Sequence, residues 1–201
     1  MTGDVQSLLT EIDAVLGKVS DQRHLLMLRQ MTELFLAHAG ACTEDQVAIF
    51  DAVIARLSRD IGRIGQAELA ARLATMEGAP TDTIGQLSNS DDIAVAGPVL
   101  EKSTALTDNA LAGIAKQKSQ RHLLAIAGRA RINDTVTDVL VDRGDNKVRH
   151  KVLDNEGARF SESGFARLVS AASQDKQLAA KVAKRPDVPA ELQPFLKMTL
   201  G

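Results

Sequence analysis

The 201-residue chain contains no tryptophan and no tyrosine, and its only aromatic residues are five phenylalanines. Proteins that bind single-stranded nucleic acid by base stacking need several aromatic side chains, so this composition argues against such a platform. Hydrophobic residues nevertheless make up 44% of the chain. We therefore expect a core of Leu, Ile, Val, Ala and Met, a mixture that favours closely packed helices.

Cysteine is nearly absent, and long apolar runs are missing. The single cysteine, Cys42, excludes an intramolecular disulfide and a zinc site with several cysteine ligands. The first residues lack the basic and apolar regions of a signal peptide, and no apolar run approaches the ~20 residues that cross a bilayer. We expect a soluble, cytoplasmic protein that does not associate with membranes.

Signatures of catalysis are missing too. The sequence has no Gly-rich phosphate loop, no Gly-x-Ser-x-Gly nucleophile turn and no His-Glu-x-x-His motif. The four histidines, at positions 24, 38, 122 and 150, do not stand at metal-ligand spacing from one another, from Cys42 or from a cluster of carboxylates. The sequence predicts a non-enzymatic protein with no metal and no cofactor.

Apolar periodicity predicts helices throughout and no strands. Residues 4–17 carry an apolar stripe with helical spacing, and a second helix is predicted over about 21–38. Thr43 and Gln46 have the spacing of a capping box that opens a third helix, and a fourth is predicted over about 65–77. We interpret residues 1–78 as an N-terminal helical bundle. Pro98 predicts a kink or a break in a later helix that Ser90, Asp91 and Asp92 introduce.

From residue 106 onward a short pattern recurs, in which a polar cap segment stands between two apolar residues. Its four copies are Leu106–Leu111, Ile132–Val136, Phe160–Phe165 and Val188–Leu192, and their starts are 26, 28 and 28 residues apart. A constant interval of this length is typical of stacked helical repeats. In the first and third copies the flanking residues fit a hydrophobic staple around Thr107 and Ser161. We predict a second domain, residues 79–201, that is a helical-repeat solenoid.

Several of these stretches resemble a known family. The runs 79–103, 122–129 and 136–145 resemble an uncharacterised family of helical-repeat proteins from alphaproteobacteria. The run 178–192, with its Arg185-Pro186 turn, is similar to leucine-rich-variant and HEAT-type repeats. The resemblance implies an all-α fold in which the N-terminal bundle continues into an α-superhelix. It implies no activity and no catalytic residues.

Basic residues are concentrated in the second half of the chain. Residues 1–100 hold 7 Lys or Arg and 14 Asp or Glu, whereas residues 101–201 hold 17 and 12. Equivalent positions of stacked repeats adjoin on one surface, so basic side chains between the anchors are candidates for a ridge that binds a partner or an anion. The candidates are Arg121, Arg129, Arg131, Arg143, Lys147, Arg149 and Lys151.

These observations leave three functions open. The working hypothesis is a scaffold or adaptor that binds a protein partner through its repeat surface, an interpretation that rests on architecture. The first alternative is a nucleic-acid-binding superhelix, although the interleaved aspartates and the isoelectric point near 6.1 argue against it. The second is a phosphotransfer bundle in which His24 accepts a phosphoryl group beside Arg23 and Arg29. The apolar stripes of the first two helices also predict a homodimer.

Overall fold

The computed structural model describes Thr10, Ala14 and residues 21–201 of the chain, and this part is all-α, as predicted. The predicted helix over 4–17 lies outside the described residues apart from those two positions. No β-strand occurs in the described part, where an isolated parallel bridge joins Ile132 and Ala158. The helices from residue 21 onward are α1 (Asp21–His38), α2 (Glu44–Arg59), α3 (Arg63–Leu73), α4 (Thr81–Ser88), α5 (Ile93–Lys102), α6 (Asp108–Gln117), α7 (Gln120–Ile126), α8 (Asp134–Arg143), α9 (Asn146–Asp154), α10 (Glu162–Ala172), α11 (Lys176–Lys184) and α12 (Gln193–Leu200).

Contacts divide the chain into two compact units. Unit 1 comprises Met1–Val99 with Ser103–Leu106, and unit 2 comprises Leu100–Lys102 with Thr107–Gly201. The two domains predicted from the sequence, a helical bundle over 1–78 and a helical-repeat solenoid over 79–201, remain a prediction.

Unit 1 is built around α2, which packs against α1, α3 and α4. The ring of Phe35 on α1 lies 5.4 Å from that of Phe50 on α2, and Phe35, Ile54 and Leu73 are completely buried. The predicted capping box is confirmed, because the Thr43 side chain accepts from the N–H of Gln46 and the Gln46 side chain accepts from the N–H of Thr43. The core is therefore aliphatic apart from this ring pair, as the composition predicts.

The buried carboxylate of Asp51 caps the N-terminus of α4. Asp51 of α2 is 5% exposed and accepts hydrogen bonds from the N–H groups of Asp82 and Thr83 at 2.8 and 2.9 Å. It also accepts one from the Thr83 hydroxyl at 2.7 Å. The first N–H groups of a helix have no partner within the helix, so Asp51 supplies from 31 residues away what an N-cap side chain normally supplies locally.

Pro98 does not break the helix, since α5 runs from Ile93 to Lys102 with Pro98 inside it, and the alternative of a kink stays a prediction. The predicted cap is confirmed at Asp92, whose carboxylate accepts from the N–H of Ala94 at 2.9 Å. Proline removes one backbone donor from the helix. The burial of Val95, Val99 and Leu100 outweighs that loss, since these side chains are at most 1% exposed.

Unit 2 is a stack of helix pairs in two layers. The first layer, α6, α8, α10 and α12, is formed by helices that each pack against the next, and the second layer, α7, α9 and α11, is formed in the same way. Along the chain, helices of the two layers alternate. Neither helix of a pair could bury its apolar face alone, and the stacking of neighbours buries it. This arrangement agrees with the solenoid predicted from the 26- to 28-residue interval.

The predicted cap segments begin the first-layer helices. Thr107, Asn133 and Ser161 are the N-cap residues of α6, α8 and α10, and each side chain accepts a hydrogen bond from the N–H three residues later. The staple predicted for the third repeat is confirmed, because the rings of Phe160 and Phe165 lie 5.1 Å apart. In the fourth repeat Pro189 precedes a short 3₁₀ turn, Ala190–Leu192, which leads into α12.

Candidate partner-binding surface

Charge is sorted between the two layers of unit 2. Within its helices the second layer has seven basic residues and one acidic residue: Arg121, Lys147, Arg149, Lys151, Lys176, Lys181 and Lys184 against Asp154. Within the helices of the first layer, acidic residues outnumber basic ones by five to four: Asp108, Asp134, Asp138, Asp142 and Glu162 against Lys116, Arg143, Arg167 and Lys197. The sequence-level excess of positive charge is thus concentrated on α7, α9 and α11.

Each second-layer helix carries an exposed cation one or two positions after its N-cap residue. These cations form what we call the basic row: Arg121 two positions after Ser119, Lys147 two positions after Asp145, and Lys176 one position after Asp175. Because α9 packs against both α7 and α11, the three residues occupy nearly equivalent positions on consecutive neighbours.

Hydrogen bonds hold the beginnings of α7 and α9 in register. The Gln120 side chain donates to the carbonyl oxygen of Arg143 and accepts from the N–H of Asp145, both at 2.9 Å. The Arg143 guanidinium in turn donates to the carbonyl oxygens of Ala115 and Lys118. The turn before α7 is therefore tied to the turn before α9.

A second contact ties α9 to α11. The ring Nε2 of His150 lies 3.4 Å from Oδ2 of Asp175. Asp175 also accepts from the N–H of Leu178 at 3.0 Å, and this bond, together with the His150 ring, holds the pKa of the Asp175 carboxyl below its ordinary value. Asp175, the residue before Lys176, is therefore already hydrogen-bonded within the protein.

Three of the seven basic residues predicted from the sequence bind backbone carbonyls. Arg143 makes the contacts given above, Arg149 donates from Nε to the carbonyl oxygen of Val141 at 3.0 Å, and Arg129 donates to that of Leu100 at 2.7 Å. Burial lowers the pKa of the Arg129 guanidinium below its usual range. Each of these guanidinium groups connects its own segment to another helix of the fold.

The other four predicted residues are exposed, but the structure does not bring them all together. Arg121 and Lys147 belong to the basic row. Arg131 lies in the turn between α7 and α8, which is at the opposite end of α7 from Arg121. Lys151 lies one turn further along α9 than Lys147, with its ammonium group near Gly128. Lys176, which the sequence reasoning missed, completes the row, and its place after the Asp175 cap was the signal for it.

Arg185 was also missed as a structural residue. Its guanidinium donates to the carbonyl oxygens of Leu153, Asn155 and Ala158 at 3.4, 3.1 and 2.8 Å. It also lies 4.7 Å from the centre of the Phe160 ring. Arg129 and Arg185 each stand three positions before a repeat anchor, Ile132 and Val188 respectively, and each reaches back 27–32 residues along the chain.

We expect Arg185→Met to lower the free energy of unfolding by about 2–3 kcal/mol, because carbonyl oxygens lose charge-assisted donors while the apolar stem remains. Lys184→Met is the matched control, since Lys184 is an exposed neighbour and its loss should change stability by less than about 0.5 kcal/mol. Urea unfolding followed by far-UV circular dichroism measures both, as the chain has no tryptophan. Equal stabilities of the two variants would contradict the structural role of Arg185.

Comparison with known families covers this same region. The model of the DUF2336 family, whose description is an uncharacterised protein conserved in bacteria, matches residues 95–196. That is half of the chain. The chain belongs to the DUF2336 family. No curated protein and no solved structure matches it. The predicted resemblance to an uncharacterised bacterial family is confirmed in this form.

The DUF2336 region contains the basic row and Arg185, whereas two other candidate residues precede it. His24 on α1 is 6% exposed, so its ring is buried. Cys42 is a half-buried free thiol between the 3₁₀ turn Ala39–Ala41 and the Thr43 cap. Both residues belong to unit 1, whereas the basic residues of unit 2 belong to the other compact unit.

Two features are absent from the part of the chain that the structure describes, Thr10, Ala14 and residues 21–201. No group of three or more His, Cys, Asp or Glu side chains in that part of the chain is arranged to hold a metal ion. None of the helices found there has both the length and the apolar character that crossing a membrane requires.

Proposed function

We propose that the chain is a non-enzymatic scaffold that binds a protein partner through the helical-repeat surface of unit 2. The observation that carries the proposal is the sorting of charge between the layers, which gives unit 2 one basic and one more acidic set of helices. Stacked repeats present equivalent side chains at regular intervals, and such surfaces suit elongated partners.

We also infer that the repeats are of the HEAT-like or leucine-rich-variant type. The alternation of short helices in two layers supports this inference, as does the recurrence of arginines that donate to carbonyl oxygens 27–32 residues earlier. Restriction of the family to alphaproteobacteria remains a prediction from the sequence.

Nucleic-acid binding is the second candidate, because seven basic residues lie on the second-layer helices. Exposed carboxylates stand among or beside these residues, notably Asp142, Asp145 and Asp154, and they repel phosphate. The phosphotransfer hypothesis is less favoured, because the buried ring of His24 is shielded from a phosphoryl donor.

The proposal predicts that the full chain, affinity-purified from its own bacterium and treated with nuclease, retains a stoichiometric protein partner. The complex should re-form from the two purified proteins. In that purified system, we expect one of two double charge reversals in unit 2 to weaken binding at least about tenfold. Like charges at an interface cost several kcal/mol. The two double reversals are the pair Lys147→Glu with Lys176→Glu and the pair Asp142→Lys with Glu162→Lys.

The matched control reverses two exposed arginines of unit 1, Arg23→Glu with Arg59→Glu, and should leave the affinity unchanged. Loss of all bound material on nuclease treatment would contradict the proposal and favour the nucleic-acid alternative. An effect of the unit 1 pair alone would contradict it as well.

A further inference from the structure

We propose that the basic row, Arg121, Lys147 and Lys176, binds an extended acidic segment of the protein partner whose carboxylates stand three residues apart. This inference rests on the proposed function and adds the class of ligand and the spacing of its charged groups. It is carried by the position of the three cations on consecutive, directly packed helices.

The spacing of the row follows from helix packing. The axes of packed helices lie roughly 8–10 Å apart. Because the three cations stand one or two positions after the caps of α7, α9 and α11, we expect them to follow one another at about that interval. All three side chains are exposed.

An extended peptide matches this interval. A polyproline II helix has three residues per turn and rises about 3.1 Å per residue, so residues i, i+3 and i+6 share one face at about 9 Å spacing. Acidic side chains at those positions would meet Arg121, Lys147 and Lys176 in turn. On an acidic α-helix, residues three or four apart lie only about 5–6 Å from each other, so a helix would need carboxylates seven residues apart, at about 10.5 Å, to match the row.

The hydrogen bonds around the row hold it in place before any ligand binds. Gln120 ties the start of α7 to the turn before α9, and His150 ties α9 to the start of α11. The two aspartates closest to the cations in sequence, Asp145 and Asp175, accept hydrogen bonds from the N–H groups of Val148 and Leu178. Both carboxylates stay charged while they cap α9 and α11, and the three cations of the row outnumber them.

Charge density favours a peptide over nucleic acid. Duplex DNA carries one negative charge per roughly 1.7 Å of its axis, so about ten phosphates of the two strands lie along the length of a row that spans two helix spacings. Three cations do not balance such a density, but they match three carboxylates of a peptide one to one. Nucleic acid is therefore an outcome that the test must be able to reveal.

The test measures binding of two labelled peptides of identical composition to the full chain by fluorescence anisotropy at low salt. One blocked ten-residue peptide has Glu at its positions 1, 4, 7 and 10 and Pro elsewhere, and the other has its four Glu consecutive. We expect the regularly spaced peptide to bind at least about fivefold more tightly. Each of Arg121→Gln, Lys147→Gln and Lys176→Gln should weaken its binding roughly two- to fivefold, the range for one exposed ion pair.

The control is a triple variant with the same change in net charge elsewhere in unit 2: Arg131→Gln, Lys151→Gln and Lys184→Gln. It should bind the spaced peptide within about twofold of the parent, whereas the triple variant of the row should bind it at least tenfold more weakly. Circular dichroism establishes that both triple variants are folded.

Three outcomes would overturn the inference. They are equal binding of the two peptides, an equal loss in the two triple variants, and displacement of the peptide by duplex DNA at a lower concentration than by unlabelled peptide. The same variants distinguish failure of this inference from failure of the proposed function. If the row variant still forms the complex with the native partner while the pair Asp142→Lys with Glu162→Lys does not, the acidic-segment inference is wrong and the scaffold function stands.

Discussion

Asp51→Ala is expected to destabilise the protein by about 3–5 kcal/mol. The substitution leaves two N–H groups and one hydroxyl at the start of α4 without their buried acceptor, and each unsatisfied buried group costs about 1–3 kcal/mol. Asp51 is 5% exposed, so water replaces the lost carboxylate poorly. Chemical unfolding followed by far-UV circular dichroism gives the change in the free energy of unfolding.

Two further variants separate this capping role from a general effect of charge. Asp82→Ala removes an exposed carboxylate from the first turn of the same helix and should cost no more than about 1 kcal/mol. Thr83→Val removes one of the three donors to Asp51, so its effect should be smaller when Asp51 is already Ala than when it is present. A loss below about 1 kcal/mol for Asp51→Ala would show that the carboxylate does not hold α4.

The features that the sequence predicts well are those set by neighbouring residues. The caps at Thr43, Thr107 and Ser161 and the ring pair of Phe160 and Phe165 each involve residues no more than five positions apart. Their geometry is dictated by the local chain, so a pattern of residue types identifies them. The same holds for helical periodicity, which reflects which face is buried.

The features that escaped prediction depend on residues about one repeat apart. Arg129 and Arg185 bind carbonyl oxygens 27–32 residues earlier, and Asp51 caps a helix that begins 30 residues later. Carbonyl oxygens carry no side-chain identity, so a sequence gives no sign that a distant guanidinium will reach them. A basic residue therefore looks the same in a sequence whether it serves the fold or faces solvent.

The candidate surface could be predicted only in part, because a sequence does not distinguish basic residues that serve the fold from those that face solvent. Of the seven basic residues predicted, Arg121 and Lys147 belong to the basic row, and counting from the second-layer caps would have added Lys176. The register of the repeats therefore identifies the row better than the local density of basic residues does. The functional assignment of the row rests on this register and remains a proposal.

The second large effect is expected at Gly157, where the backbone lies close to that of the preceding repeat. A Cβ atom at Gly157 would overlap the carbonyl oxygen of Ala130, which is backbone and cannot turn aside as a side chain can. Gly157 also accepts from the N–H of Ile132 at 3.1 Å, and Ile132 accepts from the N–H of Arg159 at 2.9 Å. We expect Gly157→Ala to lower the free energy of unfolding by about 3 kcal/mol or more, because relief of the overlap must separate these paired segments.

Gly113→Ala is the matched control, because it adds the same methyl group to another glycine of unit 2. Gly113 lies inside α6 with open space around its Cβ position, so alanine there should stabilise the protein by about 0.5–1 kcal/mol through its higher helix propensity. If Gly157→Ala lowers the free energy of unfolding and Gly113→Ala raises it, the constraint lies at the junction between repeats. If Gly157→Ala proved as well tolerated as Gly113→Ala, the bridge between Ile132 and Ala158 would not be part of the stable fold, since that bridge requires the close approach.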